Sequence, residues 1–103
     1  MPGPQIAGVP AIPNVSQVRG KLMRVDSEMD GSFRWEIQVE EARDVNGLSN
    51  FVRAYIGSPI QVFIHPQFQS TFVVGDVLEA RIAFRGDERG GRFFLLDDAV
   101  HRL

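Results

Sequence analysis

Cysteine is missing from this 103-residue chain, which excludes a disulfide framework, a thiolate zinc site and a thiol nucleophile. Lysine is almost missing too: Lys21 is the single lysine among eleven basic residues. No apolar run approaches the roughly 18 residues that a membrane-spanning helix needs. A large charge excess is also lacking. Eleven cations against thirteen carboxylates leave a formal net charge of −2, so the bulk positive field that marks many nucleic-acid binders is not there. The two histidines, His65 and His101, lie far apart, with no G-x-S-x-G serine beside either. The glycine-rich Gly86 to Gly91 lacks the Gly-Lys-Ser/Thr ending of a phosphate-binding loop. Asp97 and Asp98 are adjacent, and in a strand neighbours point to opposite faces, so a proton-sharing pair is not expected of them. Together these absences predict a non-enzymatic protein with neither cofactor nor metal.

What is present has the composition of one small globular domain: 44% hydrophobic residues and 23% charged. Residues 1–14 hold Pro2, Pro4, Pro10 and Pro13, four of the six prolines, which suits a flexible, extended arm rather than a helix or central strand. That arm has no basic segment ahead of an apolar block, so a cytoplasmic location and no membrane contact are expected. Residues 15–103 are expected to form one domain with a single core.

The pattern from Val15 onward is almost all strand. Val15 to Val25 reads as a first strand with Gly20 inside it, a position where a strand bends or another backbone comes close. Asp26 to Ser32 is a polar turn. Its Asp26-Ser27-Glu28-Met29-Asp30-Gly31 begins like a calcium loop, but position twelve is Ile37 and the flanks alternate as strands, so an acidic hairpin tip is the better reading. Phe33, Trp35, Ile37 and Val39 share one face, and Arg34, Glu36 and Gln38 the other: a half-buried strand. Asn46-Gly47 marks a turn. Phe51 to Ile56 reads as a short extended piece, Ile60 to Ile64 as a third strand, and His65 to Phe72 as a helical turn opened by Pro66. Val77 to Arg85 and Arg92 to Leu96 are the closing strands, joined by a polar hairpin loop from Gly86 to Gly91.

The order of these elements, with Phe72-Val73-Val74-Gly75-Asp76-Val77-Leu78-Glu79-Ala80-Arg81 at the entry to the fourth strand, resembles the oligonucleotide/oligosaccharide-binding (OB) fold. The helical turn after the third strand favours that order over an SH3-like barrel. The resemblance implies an all-β, five-stranded, closed barrel with one short helical turn between strands 3 and 4. It also implies a binding face across strands 2 and 3, on which bases stack on aromatics while cations follow the phosphates.

On this chain the resemblance points to Arg34, Arg53, Tyr55 and Phe63, with Arg85, Arg89 and Arg92 supporting, as residues contacting single-stranded DNA or RNA. Arg81 joins the same arginine group, and Phe51 is a further stacking candidate. Glu36, Glu40 and Glu41 beside that face, with Asp26, Glu28 and Asp30 lining the first hairpin, would repel a polyanion, and Asp87 and Glu88 interrupt the arginine cluster of the last hairpin. Trp35, Phe84 and one of Phe93 or Phe94 are expected in the core. The last strand is apolar on both faces, Phe93 and Leu95 against Phe94 and Leu96, which suits a strand covered by a partner. The alternative function is therefore a protein-interaction or homo-oligomerisation domain using this strand and the N-terminal arm.

Overall fold

A computed structural model describes residues 13–27, 33–65, 72–87, 90–96 and 100–103. The N-terminal arm to residue 12, the first hairpin tip, Arg89, the Asp97–Asp98 pair and residues 66–71, where the helical turn is expected, lie outside the described residues.

The chain is all-β. Its strands are β1 (Ser16–Ser27), β2 (Phe33–Asp44), β3 (Pro59–Ile64), β4 (Val77–Asp87), β5 (Gly90–Leu95) and β6 (His101–Arg102). They are ordered β1-β2-β3-β5-β4, and an additional β1–β4 pairing closes the sheet into a five-stranded barrel, with β6 added along β4. All pairs are antiparallel except β3–β5, where Val62 faces Phe93 and Phe63 faces Phe94 in parallel. Closure removes most of the unpaired edges that strands of this length would otherwise expose. A closed barrel of this size is consistent with an OB-like fold. No helix among the described residues is long and apolar enough to cross a membrane.

Alternation in sequence becomes inside and outside in the barrel. Trp35, Ile37 and Val39 of β2 meet Val18 and Leu22 of β1, Val62 of β3, and Leu78 and Ile82 of β4, all essentially without exposure. Each such side chain contributes on the order of 1.5–3 kcal/mol of apolar burial. Trp35 packs edge-on against Phe72, with ring centroids 5.4 Å apart. The core expectation holds for Trp35, while Phe84 and Phe93 are half-buried with their rings 5.3 Å apart.

Gly20 is where β1 curls. It pairs with Val39 of β2 and Leu78 of β4, beside a register shift in the β1–β2 ladder. A Cβ there would sit 2.5 Å from the Gln38 carbonyl oxygen, so the neighbouring backbone uses the space that a side chain would fill.

The β1–β4 ladder ends at Ser16 and Ile82, and a side chain continues it. Asn14, buried at 3% exposure, accepts the Phe84 N–H (2.7 Å) and donates to the Phe84 carbonyl (3.0 Å). Its amide thus stands in for the next rung.

Two sequence expectations are corrected. Phe51 to Ile56 is not an extended piece: Arg53–Tyr55 forms a 3-10 turn before β3. The Tyr55 N–H bonds the Val52 carbonyl, and the Asn50 side-chain oxygen accepts the Arg53 N–H, so the local chain is satisfied by a turn. Gly86 to Gly91 is not all loop either, because Gly86 pairs with Gly91 and Asp87 with Gly90. The hairpin ladder therefore runs almost to its tip. Gly91 serves a close approach: a Cβ there would be driven into the Phe84 ring and to 2.7 Å from the Arg85 carbonyl oxygen.

Candidate functional site

The site is a patch on the outer wall of the barrel, and the ladder registers place its members. Arg34 of β2 is opposite Phe63 of β3, Phe63 is opposite Phe94 of β5, and Arg92 of β5 is opposite Arg85 of β4. Their strand neighbours Trp35, Val62, Phe93 and Phe84 point the other way, into the barrel or its end. Two aromatics and three arginines thus share one wall.

Phe63 and Phe94 are both half-buried, their ring centroids 5.8 Å apart and their planes tilted by 38°. The Arg92 guanidinium carbon stands over the Phe63 ring, 4.8 Å from its centroid. Arg85 and Arg92 are exposed, and like charges directly opposite in an antiparallel pair are destabilising. Arg85 Nη1 is held back on the Phe84 carbonyl at 3.2 Å. Among the described residues no carboxylate pairs with either arginine. Arg34 lies in register with Asp26, whose carboxylate is 3.1 Å from Arg24 Nε.

The structure brings together Arg34, Phe63, Arg85 and Arg92 of the sequence-derived site and separates the rest. Tyr55, 43% exposed, sits on the 3-10 turn and packs edge-on against Phe93 at 5.6 Å. Phe93 and Phe94 point to opposite faces of β5, so Tyr55 and Phe63 do not form one stacking platform. Tyr55 instead begins a run of rings, Tyr55–Phe93–Phe84–Phe51, with successive centroids 5.6, 5.3 and 5.9 Å apart. Arg53 points to Asp44 at 2.7 Å. Arg81 does not join the hairpin arginines: its Nε donates to Gln17 Oε1 at 3.1 Å. Arg89 lies outside the described residues. Phe94 is the member that sequence reasoning did not place here. Its signal was the second apolar face of the last strand.

The wall formed by β1, the second half of β2 and the first half of β4 is different in kind. Arg19 is opposite both Glu41 and Glu79, and Gln17 is opposite both Arg43 and Arg81. The resulting checkerboard pairs Arg19 with Glu41 and with Glu40 (3.7 Å), and Arg43 with Glu79 (3.4 Å) and Glu41 (3.7 Å), while Gln17 donates to Glu79 (2.8 Å). The acids near the barrel ends are engaged too. Hydrogen bonds from Asn50 and then Arg53 hold Asp44 below the usual carboxylate range. Asp76 is lowered by the Val73 N–H and, less strongly, by Arg102.

Among the described residues no cluster of three or more histidine or carboxylate side chains could hold a metal ion. Chemically the patch offers flat apolar faces and planar cations. The chain matches no known family model and no curated protein.

Proposed function

We propose that this barrel is a non-enzymatic binding module of OB type that takes single-stranded nucleic acid, weakly and with little sequence preference. The contact surface is the outer wall carrying Arg34, Phe63, Phe94, Arg92 and Arg85. The observation that carries the reading is the Arg85–Arg92 pair. Two arginines stand directly opposite on neighbouring strands beside two aromatic rings, while among the described residues Arg19, Arg24, Arg43, Arg53 and Arg102 are each matched to a carboxylate. A repulsion kept at that place is relieved by a phosphate, and an arginine fork suits phosphate geometry. Stacking on Phe63 or Phe94 supplies on the order of 1–3 kcal/mol per base.

The test is fluorescence anisotropy with labelled oligo-dT and oligo-U at 50 and 200 mM salt. Three phosphate contacts predict a slope of log K against log salt near −2, at about −0.7 per contact, hence a fall of roughly tenfold or more across that range. Amide and ring NMR shifts should concentrate on Phe63, Phe94, Arg85 and Arg92. No shifts there at millimolar oligonucleotide would end the proposal.

The outward Phe94 of β5 and the half-buried Leu96 just beyond it favour a second reading, a protein-interaction or self-association surface on the same wall. It predicts a mass that rises with concentration and no oligonucleotide binding.

A further inference from the structure

We propose that Arg92 makes this wall selective for a base and a phosphate offered together, refusing a base that comes without charge; the inference rests on the nucleic-acid reading above. The guanidinium, 4.8 Å from the Phe63 centroid, covers a ring face that a base would take. Any stacking ligand must first lift it away, giving up a cation–π contact worth about two- to fivefold in affinity at an exposed site. Where the guanidinium goes next decides the outcome.

Arg85 stands opposite Arg92 on β4, so displacement toward that strand brings two like charges closer. A neutral aromatic ligand returns nothing for this. A nucleotide unit does, because its phosphate supplies the displaced guanidinium with a bidentate acceptor and relieves the repulsion from Arg85. A bare phosphate contacts the arginine pair and leaves Phe63 covered, without the stacking term. The ligand class is therefore a phosphodiester strand of at least one base and its adjacent phosphate.

The full chain is titrated with two strands of the same thymidine length, one with ordinary phosphodiesters and one with a neutral methylphosphonate backbone. Binding is followed by anisotropy and by Phe63 and Phe94 ring shifts, for the wild type, Arg92→Ala and Arg92→Gln. The wild type is expected to favour the charged strand by tenfold or more. Both variants should weaken the charged strand about three- to tenfold and strengthen the neutral one about two- to fivefold, so the ratio contracts from both sides. If the wild type binds the charged strand but neither variant gains affinity for the neutral one, this inference is overturned and the proposed function stands. If the wild type binds neither strand, the nucleic-acid reading falls and takes the inference with it.

Discussion

Reversing one charge of the Arg85–Arg92 pair should make the protein more stable and less able to bind. The two residues are directly opposite on β4 and β5, a geometry that sets Cβ atoms about 4.5–5.5 Å apart. Like charges there cost, and opposite charges gain, on the order of 0.2–1 kcal/mol. Arg85→Glu converts one into the other. Because both side chains are exposed, solvent screening holds the gain to about 0.5–1 kcal/mol. For a domain of this size that is a rise in Tm of roughly 3–6 °C. The loss of the Arg85 bond to the Phe84 carbonyl subtracts from it, and Arg85→Gln, which removes repulsion without adding attraction, should fall between the two. The assay is thermal unfolding by circular dichroism at 20 mM and 1 M salt. At 1 M the screening length is about 3 Å, and the difference between variant and wild type should collapse. Oligo-dT affinity at low salt should fall more than tenfold in Arg85→Glu, since a cation contact is lost and an acid takes its place. A lower Tm at low salt, or a gain that ignores salt, would show that the pair is not repulsive and remove the ground for placing a phosphate there.

Gly20→Ala should destabilise the barrel by about 2 kcal/mol or more in urea unfolding, because its Cβ meets the Gln38 carbonyl oxygen at 2.5 Å and backbone must move. Asn14→Ala leaves the Phe84 N–H and carbonyl without their side-chain rung and should cost about 1–3 kcal/mol, with faster amide exchange at Phe84. Asp76 has a folded-state pKa below its ordinary value, so its contribution is present above pH 4 and is lost as pH falls through the folded pKa. Asp76→Ala should therefore flatten stability against pH below about 4, and an unchanged acid limb would refute the assignment. Glu36→Gln should raise oligonucleotide affinity by no more than about twofold, with little change in Tm, measured by the same anisotropy titration.

Strands whose two faces differ chemically were legible in sequence. Phe33, Trp35, Ile37 and Val39 could be read as inward from alternation alone, and Gly20 as a bend, because both signals are local. The 3-10 turn was not, although its chemistry is also local. Val52, Ala54 and Ile56 alternate with Phe51, Arg53 and Tyr55 as a strand would, yet of these only Val52 is buried. The better cue was Asn50, whose side chain accepts the Arg53 N–H and favours a turn at that point. The hairpin glycines misled in the opposite direction. Gly86 and Gly91 look like loop, but the Phe84 ring lies where a Gly91 side chain would be, so glycine there serves a packed ladder. The composition of the site was the hardest part to foresee. Whether Tyr55 or Phe94 stands beside Phe63 depends on the parallel β3–β5 contact, which joins residues about thirty positions apart and appears only when the barrel closes.

A net charge of −2 argues against a polyanion ligand only if the charges act as one sum, and in this barrel they do not. Glu40, Glu41 and Glu79 lie on the wall where Arg19 and Arg43 meet them, and Asp44 and Asp76 are bound to Arg53 and Arg102. Screening over about 8–10 Å keeps matched pairs on one wall from cancelling cations on the other. Among the described side chains, what a strand approaching Phe63 meets is Arg34, Arg85 and Arg92, with Asp26 opposite Arg34 on β1 and held by Arg24, and Glu36 the nearest acid along β2. Glu36 is opposite Gln61, one outward position beyond the Arg34–Phe63 rung, roughly 7 Å along the sheet. At that range in water, with screening, it costs each phosphate about 0.3 kcal/mol. That penalty sets a direction. A single strand gains by leaving Phe63 across β5 toward the Arg85–Arg92 pair, and loses by following β2 past Glu36. On the proposed reading the path therefore crosses the strands toward the Arg85–Arg92 pair rather than along β2.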